Sequence, residues 1–297
     1  MKPMPLWLRA LACLPLGALY VFGALLSLLL RYVLRYRVRI ARNNLRGCFP
    51  EFDARRIDAV LNSYYRRLGQ IIAECLKLAA LSAEELRRRV RFSNIELVQD
   101  ELSAGRSVIL LAAHLGNWEW QLQGIVAHSS TPVDAAYKPL HGAAADRLLL
   151  QLRSRLGARM IPAKKLVRAV ARGRNQVHMV ALMADQIPSS SAGRHWVQFL
   201  GRATAFYPGP GELARMTGYA TVFAGMRRVQ RGYYEIRFER VLAAGEQLEP
   251  EAFTARYARL LEAQIRRDPP NWIWTHRRWK LAPPAFAALS AEDQLSR

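Results

Sequence analysis

The chain reads as an α/β protein. The expectation is a mixed, largely parallel sheet flanked by helices, behind a helical N-terminal region headed by a membrane-anchoring helix. Three observations predict this. From residue 107 onward, short apolar runs alternate with stretches of helical period, the pattern that strand–helix–strand units leave in a sequence. Before them, Ile57, Val60, Leu61, Tyr64, Leu68, Ile71, Ile72, Cys75 and Leu76 recur at helical spacing. Ahead of both, Ala10 to Leu30 carries no charge, and a run of about 21 residues can cross a hydrocarbon core of roughly 30 Å as a helix.

Taken in order, Pro15 and Gly17 permit a kink in the apolar run, which helices in lipid tolerate. A cleaved signal peptide fits less well, because Arg31 follows where small residues are needed for cleavage. Lys2 and Arg9 precede the run, whereas Arg31, Arg35, Arg37, Arg39, Arg42 and Arg46 follow it. That asymmetry places everything after residue 30 in the cytoplasm if the helix spans. A helix lying in the membrane interface is the alternative. The spacing of Arg31, Arg35, Arg39 and Arg42 puts them on one helical face, suited to lipid headgroups. Asp53 caps the helix over 53–80, and Ser82 with Glu85 forms a capping box for a short basic helix to Val90.

Strands are predicted at 107–113, 132–137, 177–183, 220–226 and 233–241, and helices at 117–127, 142–156, 165–173, 208–217 and 251–267. Residues 185–210 are rich in Ser, Gly and Pro, and are too long for a simple connection. The resulting division is an anchor with its basic collar over 1–34, a main domain over 35–284 and a C-terminal extension over 285–297.

Composition narrows the function. With 297 residues and 51% hydrophobic residues the chain is neither disordered nor polytopic. A net charge of +21 predicts attraction to a polyanion: nucleic acid, an anionic membrane face or an acidic partner. Cys13, Cys48 and Cys75 show no metal-ligand spacing and no disulfide framework. Neither a metal nor a cofactor is indicated, and a reducing compartment fits.

The richest motif is Ala113-His114-Leu115-Gly116-Asn117-Trp118-Glu119, at the mouth of the strand SVILLA. A histidine with a carboxylate five positions on can be a general base with its orienting partner, or a surface histidine and a helix-start carboxylate. Five apart, the two do not share a helix face, so His114 belongs in the loop and Glu119 in the first turn after it. Ala184-Asp185-Gln186 closes another strand, so Asp185 can bind substrate, position a base, or serve only a turn. Arg153, Arg155 and Arg159 surround a helix end and can meet phosphates, or form a solvated basic face. Residues 271–280, NWIWTHRRWK, interleave aromatic and basic side chains. That suits a nucleic-acid platform, an interfacial belt, or a core edge with cation–π pairs. His128, His141, His178 and His195 show no ligand spacing, and no nucleophile elbow occurs.

Together these segments resemble the bacterial lipid A (lauroyl/myristoyl) acyltransferase family, within the lysophospholipid acyltransferase-like group. The likeness begins at the collar ARNNLRGCFPE (41–51) and runs through His114-Leu115-Gly116-Asn117-Trp118-Glu119, a histidine-x4-acid signature. It continues at Tyr137-Lys138-Pro139, Met183-Ala184-Asp185-Gln186, Phe199-Leu200-Gly201, Leu213-Ala214-Arg215-Met216 and Trp274-Thr275-His276-Arg277-Arg278-Trp279-Lys280. The resemblance implies transfer of a fatty acyl chain from acyl carrier protein to a hydroxyl of an anionic, phosphorylated glycolipid on the cytoplasmic face of a Gram-negative inner membrane. It makes residues 35–284 the acyltransferase domain. His114 would be the base and Glu119 the group holding the imidazole, with Lys138, Arg155, Asp185, Gln186 and Gly201 in substrate or oxyanion contacts. No acyl-enzyme, metal, cofactor or nucleic acid enters this scheme. The chain departs from the family at Lys138, where arginine is common, and after Gly201, where RATAFYPGPGE replaces a threonine-rich stretch. Both departures bear on the acceptor: another aminolipid, phospholipid or glycolipid is the first alternative, and a non-catalytic membrane-tethered polyanion binder the rival from another class.

Overall fold

A computed structural model describes residues 5–188 and 193–284. The predicted C-terminal extension lies outside the described residues. The apolar N-terminal run is two helices, α1 (Leu6–Cys13) and α2 (Leu16–Leu28). They are separated at Leu14, whose extended backbone is what a following proline imposes. A π-helical turn over Leu29–Val33 and left-handed Arg35 and Arg37 then break the chain before α3 (Val38–Cys48). The four collar arginines therefore share no helix face. Arg31 is buried instead, and both it and Arg42 reach Asp58, at 3.4 and 2.6 Å.

The long amphipathic helix is α4 (Ala54–Lys77), capped by Asp53, whose carboxylate accepts the Arg56 N–H at 2.7 Å. Half of the next capping box forms on α5 (Ala83–Arg89): Ser82 Oγ accepts the Glu85 N–H at 3.0 Å, while the Glu85 carboxylate turns to Arg89. Two elements absent from the sequence expectation follow, β1 (Val90–Phe92) and α6 (Glu96–Ser103). Then come β2 (Val108–Ala112), α7 (Trp118–His128), β3 (Val133–Tyr137), α8 (Ala143–Ser154), β4 (Arg159–Pro162), α9 (Leu166–Gly173) and β5 (Met179–Met183).

The supposed loop after Asp185 contains a hairpin, β6 (His195–Phe199) and β7 (Arg202–Phe206), paired antiparallel. Its turn, Leu200-Gly201, has positive φ at both residues. That backbone matches the twist of a two-residue hairpin, and the Ser, Gly and Pro around it hide the signal. The chain ends with α10 (Gly209–Thr217), β8 (Ala220–Gln230), β9 (Tyr233–Leu242) and α11 (Pro250–Arg267).

The main sheet has seven strands in the order β1-β9-β8-β2-β5-β3-β4, parallel at every pairing except β8 with β9. This is the predicted class. Alternation along β2 sends Ile109 and Leu111 to one face, against α3, α4, α9, α10 and α11. Val108 and Leu110 go to the other, against α5, α6, α7 and α8.

Where α2, α4, α7 and β9 converge, one carboxylate is sealed from water. Glu74 of α4 accepts hydrogen bonds from Tyr20 OH (2.8 Å), Asn117 Nδ2 (2.8 Å) and Tyr234 OH (2.7 Å). Burial pushes its pKa up despite these bonds. The folded protein then keeps a proton that the unfolded chain has lost, so stability from this group is whole below the unfolded pKa and falls as pH rises above it. Glu74→Gln keeps an acceptor and removes the titration. Its unfolding free energy relative to the parent, from urea titration, should rise between about pH 4 and about pH 7; a constant difference would rule out a proton-linked Glu74.

Candidate active site

Strand register assembles the site. β2 and β5 are parallel neighbours with Ala112 opposite Met183, and the Ala184 N–H donates to Ala112 O at 3.2 Å. Two residues beyond each paired end stand His114 and Asp185, brought side by side at the carboxyl edge of the sheet. The His114 ring Nδ1 lies 2.7 Å from Asp185 Oδ1, and the His114 backbone N–H donates to Asp185 Oδ2 at 3.0 Å. Trp272 Nε1 donates to the same Oδ2 at 2.8 Å.

These contacts fix the chemistry of the imidazole. With Nδ1–H given to the aspartate, Nε2 carries the lone pair, and the Gln186 side-chain amide meets it at 3.1 Å. Burial pushes the Asp185 carboxyl up, but the adjoining imidazole and the hydrogen bonds from His114 and Trp272 outweigh it and hold the pKa at about 2. Because the folded value is depressed, the stability this carboxylate supports is whole above the ordinary value of about 3.9 and is lost as pH falls from there through about 2. The His114 side chain is 16% exposed and Asp185 fully buried, so the imidazole is the member of the dyad that reaches solvent.

The loop that carries His114 is pinned by its neighbours. Gly116 has φ +54°, and a β-carbon there would lie 3.3 Å from both Asn271 Oδ1 and the Tyr234 ring. Its N–H donates to Asn271 O at 2.8 Å. Asn117 caps α7 through the Trp120 N–H and anchors its amide on Glu74. The collar motif contributes at a distance: Asn44 Nδ2 donates to Trp274 O and His276 O, both at 2.9 Å, and so holds the segment that brings Trp272 to Asp185.

The aromatic-basic stretch 271–280 is accordingly a core edge. Trp272 and Trp274 are buried, and Arg278 lies buried over the Phe206 ring at 4.3 Å, with Nη1 donating to Ala205 O. A nucleic-acid platform and a membrane belt both need exposed rings. Burial and the Arg278 charge pull the His276 pKa down to about 4. Burial pushes the Cys48 thiol up to about 12, away from any nucleophilic form.

Other expected site residues lie elsewhere. Glu119 does not hold the imidazole. The first turn of α7 aims it at α8, where Arg153 grips it with Nε at 2.8 Å and Nη2 at 2.5 Å. Asp185 takes the position expected for it because adjacent parallel strands deliver their ends together, whereas a loop and a helix start intervene before Glu119. Arg155 donates to Leu81 O at 2.5 Å, and Arg159 pairs with Asp134 at 2.6 Å, so the three arginines serve protein partners rather than phosphate. Gly201 occupies the exposed hairpin turn, where the preceding Leu200 N–H is taken by Glu262 at 2.6 Å. Lys138 follows β3 on the same sheet edge as His114, exposed and without an ion-pair partner among the described residues. The sequence singles out the stretch 271–280 but gives no sign that its Trp272 reaches Asp185. It does point to Asp185, and the signal for its role is that both motifs lie two residues past an apolar strand.

The Glu119–Arg153 pair is largely removed from water, at 8% and 21% side-chain exposure. Arg153→Met should leave the carboxylate buried and unmatched, at a cost of about 3–5 kcal/mol. Thermal unfolding of Arg153→Met with Glu119→Gln should recover part of that loss; a double variant no more stable than the single one would show that the pair is not coupled.

The chain is similar in sequence to several enzymes of lipid A biosynthesis. The palmitoleoyltransferase of lipid A biosynthesis from Escherichia coli is 24% identical over 285 residues, covering 96% of this chain and 90% of that protein. The E. coli lauroyltransferase of lipid A biosynthesis is 24% identical, over 94% and 90%. A lipid A biosynthesis acyltransferase of Haemophilus influenzae is 22% identical, over 79% and 73%. Residues 5–281 match the family described as bacterial lipid A biosynthesis acyltransferase, and a match over nearly the whole chain makes this protein a member of that family.

Proposed function

We propose that this acyltransferase moves a fatty acyl chain from the thioester of acyl carrier protein to a hydroxyl of a lipid A precursor, with His114 as general base. One observation carries the reading: the buried Asp185 carboxylate holds Nδ1 at 2.7 Å and leaves the lone pair on Nε2, the nitrogen away from the carboxylate. Nε2 takes the proton of the acceptor hydroxyl as its oxygen attacks the thioester carbonyl carbon. Asp185 stabilises the imidazolium that results. The tetrahedral intermediate then collapses, the C–S bond breaks, and the departing thiolate takes the proton back from Nε2. The products are an ester and the free carrier thiol.

Gln186 is the donor nearest the reacting atoms, because its amide already meets Nε2. Once a hydroxyl occupies that position, the amide is free to turn to the oxyanion. Lys138, exposed on the same edge, meets an anionic group of the acceptor on this reading. Glu119 contributes by fixing α7 to α8 through Arg153, which sets the wall beside the catalytic loop. Residues 35–284 form the catalytic unit on this reading, held at the cytoplasmic face of the inner membrane. The lysine at 138, a point charge where a guanidinium fork is common, favours as a second reading a related amphiphile whose anionic group needs no bidentate grip. Mass spectrometry of membrane lipids with and without the protein distinguishes the acceptors.

His114→Ala should lower acyl transfer from acyl carrier protein by about 100- to 10,000-fold, with folding and membrane attachment retained. Unchanged transfer would sink the general-base assignment. Asp185→Asn should cost a similar factor, because the amide no longer selects the Nδ1–H tautomer, and the pH–rate profile should change shape rather than merely scale. A profile scaled uniformly would mean that Asp185 only supports the fold.

A further inference from the structure

Among the described residues, one helical stretch, Leu16–Val33, is long and apolar enough to cross a membrane. The way it is mounted argues against crossing. Its two faces differ: Leu19, Tyr20, Gly23 and Ser27 are buried, whereas Val21, Phe22, Leu25, Leu28, Tyr32 and Val33 recur at helical spacing and lie 51–71% exposed.

The buried face is packed along α4 by contacts that tolerate no lipid. Gly23 and Gly69 meet so closely that a β-carbon on either would fall within 2.5 Å of the other's carbonyl oxygen. Tyr20 donates to the buried Glu74. Charged groups of α4 attend both ends of α2. At its start, Lys77 Nζ donates to Ala12 O and Leu14 O, both at 2.9 Å; just past its end, Asp58 receives Arg31. Taking α2 through a bilayer would carry Lys77, Arg66 and Asp58 of α4 toward hydrocarbon, at several kcal/mol for each charge.

The open face is framed by cations. Gly17, Val21, Ala24, Leu25 and Leu28 line a groove that Arg231 closes at one end, its guanidinium 4.7 Å above the Tyr20 ring. Arg35 and Arg39 are exposed beyond the other end. Arg231 and the exposed Val229 belong to the β8–β9 hairpin. In that hairpin β8 runs parallel to β2, with Phe223 opposite Leu111, and continues to Gln230. The hairpin therefore projects past the level of His114 by about four residues, roughly 13 Å, on the catalytic edge of the sheet.

We propose that α2 lies within a single leaflet of an anionic phospholipid bilayer, its Val21–Val33 face in the acyl region and Arg231, Arg35 and Arg39 among the phosphates, so that the catalytic edge faces that same leaflet. The docking stands on this geometry alone; that the leaflet supplies the acyl acceptor rests on the acyl transfer proposed above. Alternating apolar face and basic rim is the pattern of helices that lie in an interface.

Topology tests it directly. The full chain with a hydrophilic, protease-cleavable N-terminal tag is expressed in a Gram-negative host. Tag and catalytic domain should both resist protease in spheroplasts and both be cut in inverted vesicles; a tag cut in spheroplasts means that α2 crosses, and overturns the proposal. The occupant is tested by flotation of the purified protein with preformed vesicles. Phosphatidylglycerol vesicles should bind at least about tenfold better than phosphatidylcholine ones, and Val21→Glu with Leu25→Glu should abolish that binding while thermal unfolding in detergent is unchanged. Undiminished binding by the double variant, or loss of a dimer as its sole effect, would overturn the lipid assignment in favour of a second copy. His114→Ala should float like the parent, so failed acyl transfer and failed docking are read separately.

Discussion

A carboxylate withdrawn from water at the end of a strand must have its lone pairs filled from inside the protein, and Asp185 fills them from three places. The backbone of His114, its ring and the indole of Trp272 all donate to it. Each bond closes a different piece of the fold. The first binds the β2 loop to β5, the second sets the tautomer of the imidazole, and the third draws in a segment from the far end of the chain. Asn44, Tyr64 and Thr275 then secure that segment. An unmatched buried charge is costly, so none of these parts can move without disturbing the others. The site is rigid because one anion has no alternative partners.

The same economy explains how the basic surface and the anionic interior coexist. Few acids are available, and the buried ones are each fully engaged: Asp134 by Arg159, Glu119 by Arg153, Glu101 by Arg106 and Arg240. Apart from Arg278, buried over the Phe206 ring, many of the surplus cations stand on the outside. Lys164, Lys165, Arg168, Arg172 and Arg174, in and around α9, are all exposed, on a helix whose Leu166 and Val170 are buried beneath them. Net charge thus has a spatial meaning here. Pairing absorbs it inside and leaves a positive field outside, which favours acidic partners and anionic lipid surfaces.

The parts of this protein that were legible in its sequence are those governed by local period or by caps. The central strands, α4 with Asp53 and the basic helix after Ser82 obey rules that act over a few residues. What was hidden depends on non-local geometry. Nothing within residues 118–119 shows that α7 turns Glu119 toward Arg153, and only the parallel register of β2 with β5 puts Asp185 against His114. The β6–β7 hairpin was concealed because its turn needs positive φ at Leu200, a residue type that gives no such signal. β4 is four residues long and begins with an arginine, too short to show alternation. The collar was misread for a related reason: a π-turn and two left-handed arginines redirect a run that spacing alone makes continuous.

The contact of Gly23 with Gly69 also bears on how this protein can be handled. Cutting away residues 1–34 looks like the removal of an appendage, but it would strip Tyr20 from Glu74, leave Lys77 without its two carbonyl acceptors, and expose Gly69 and Ala73 of α4. Asn117, which caps the helix behind His114, leans on that same carboxylate. A shortened chain would therefore trade an exposed apolar surface for a wound in its own core, one that reaches within a few residues of His114. Solubility is better sought by keeping the helix and covering its outer face with detergent.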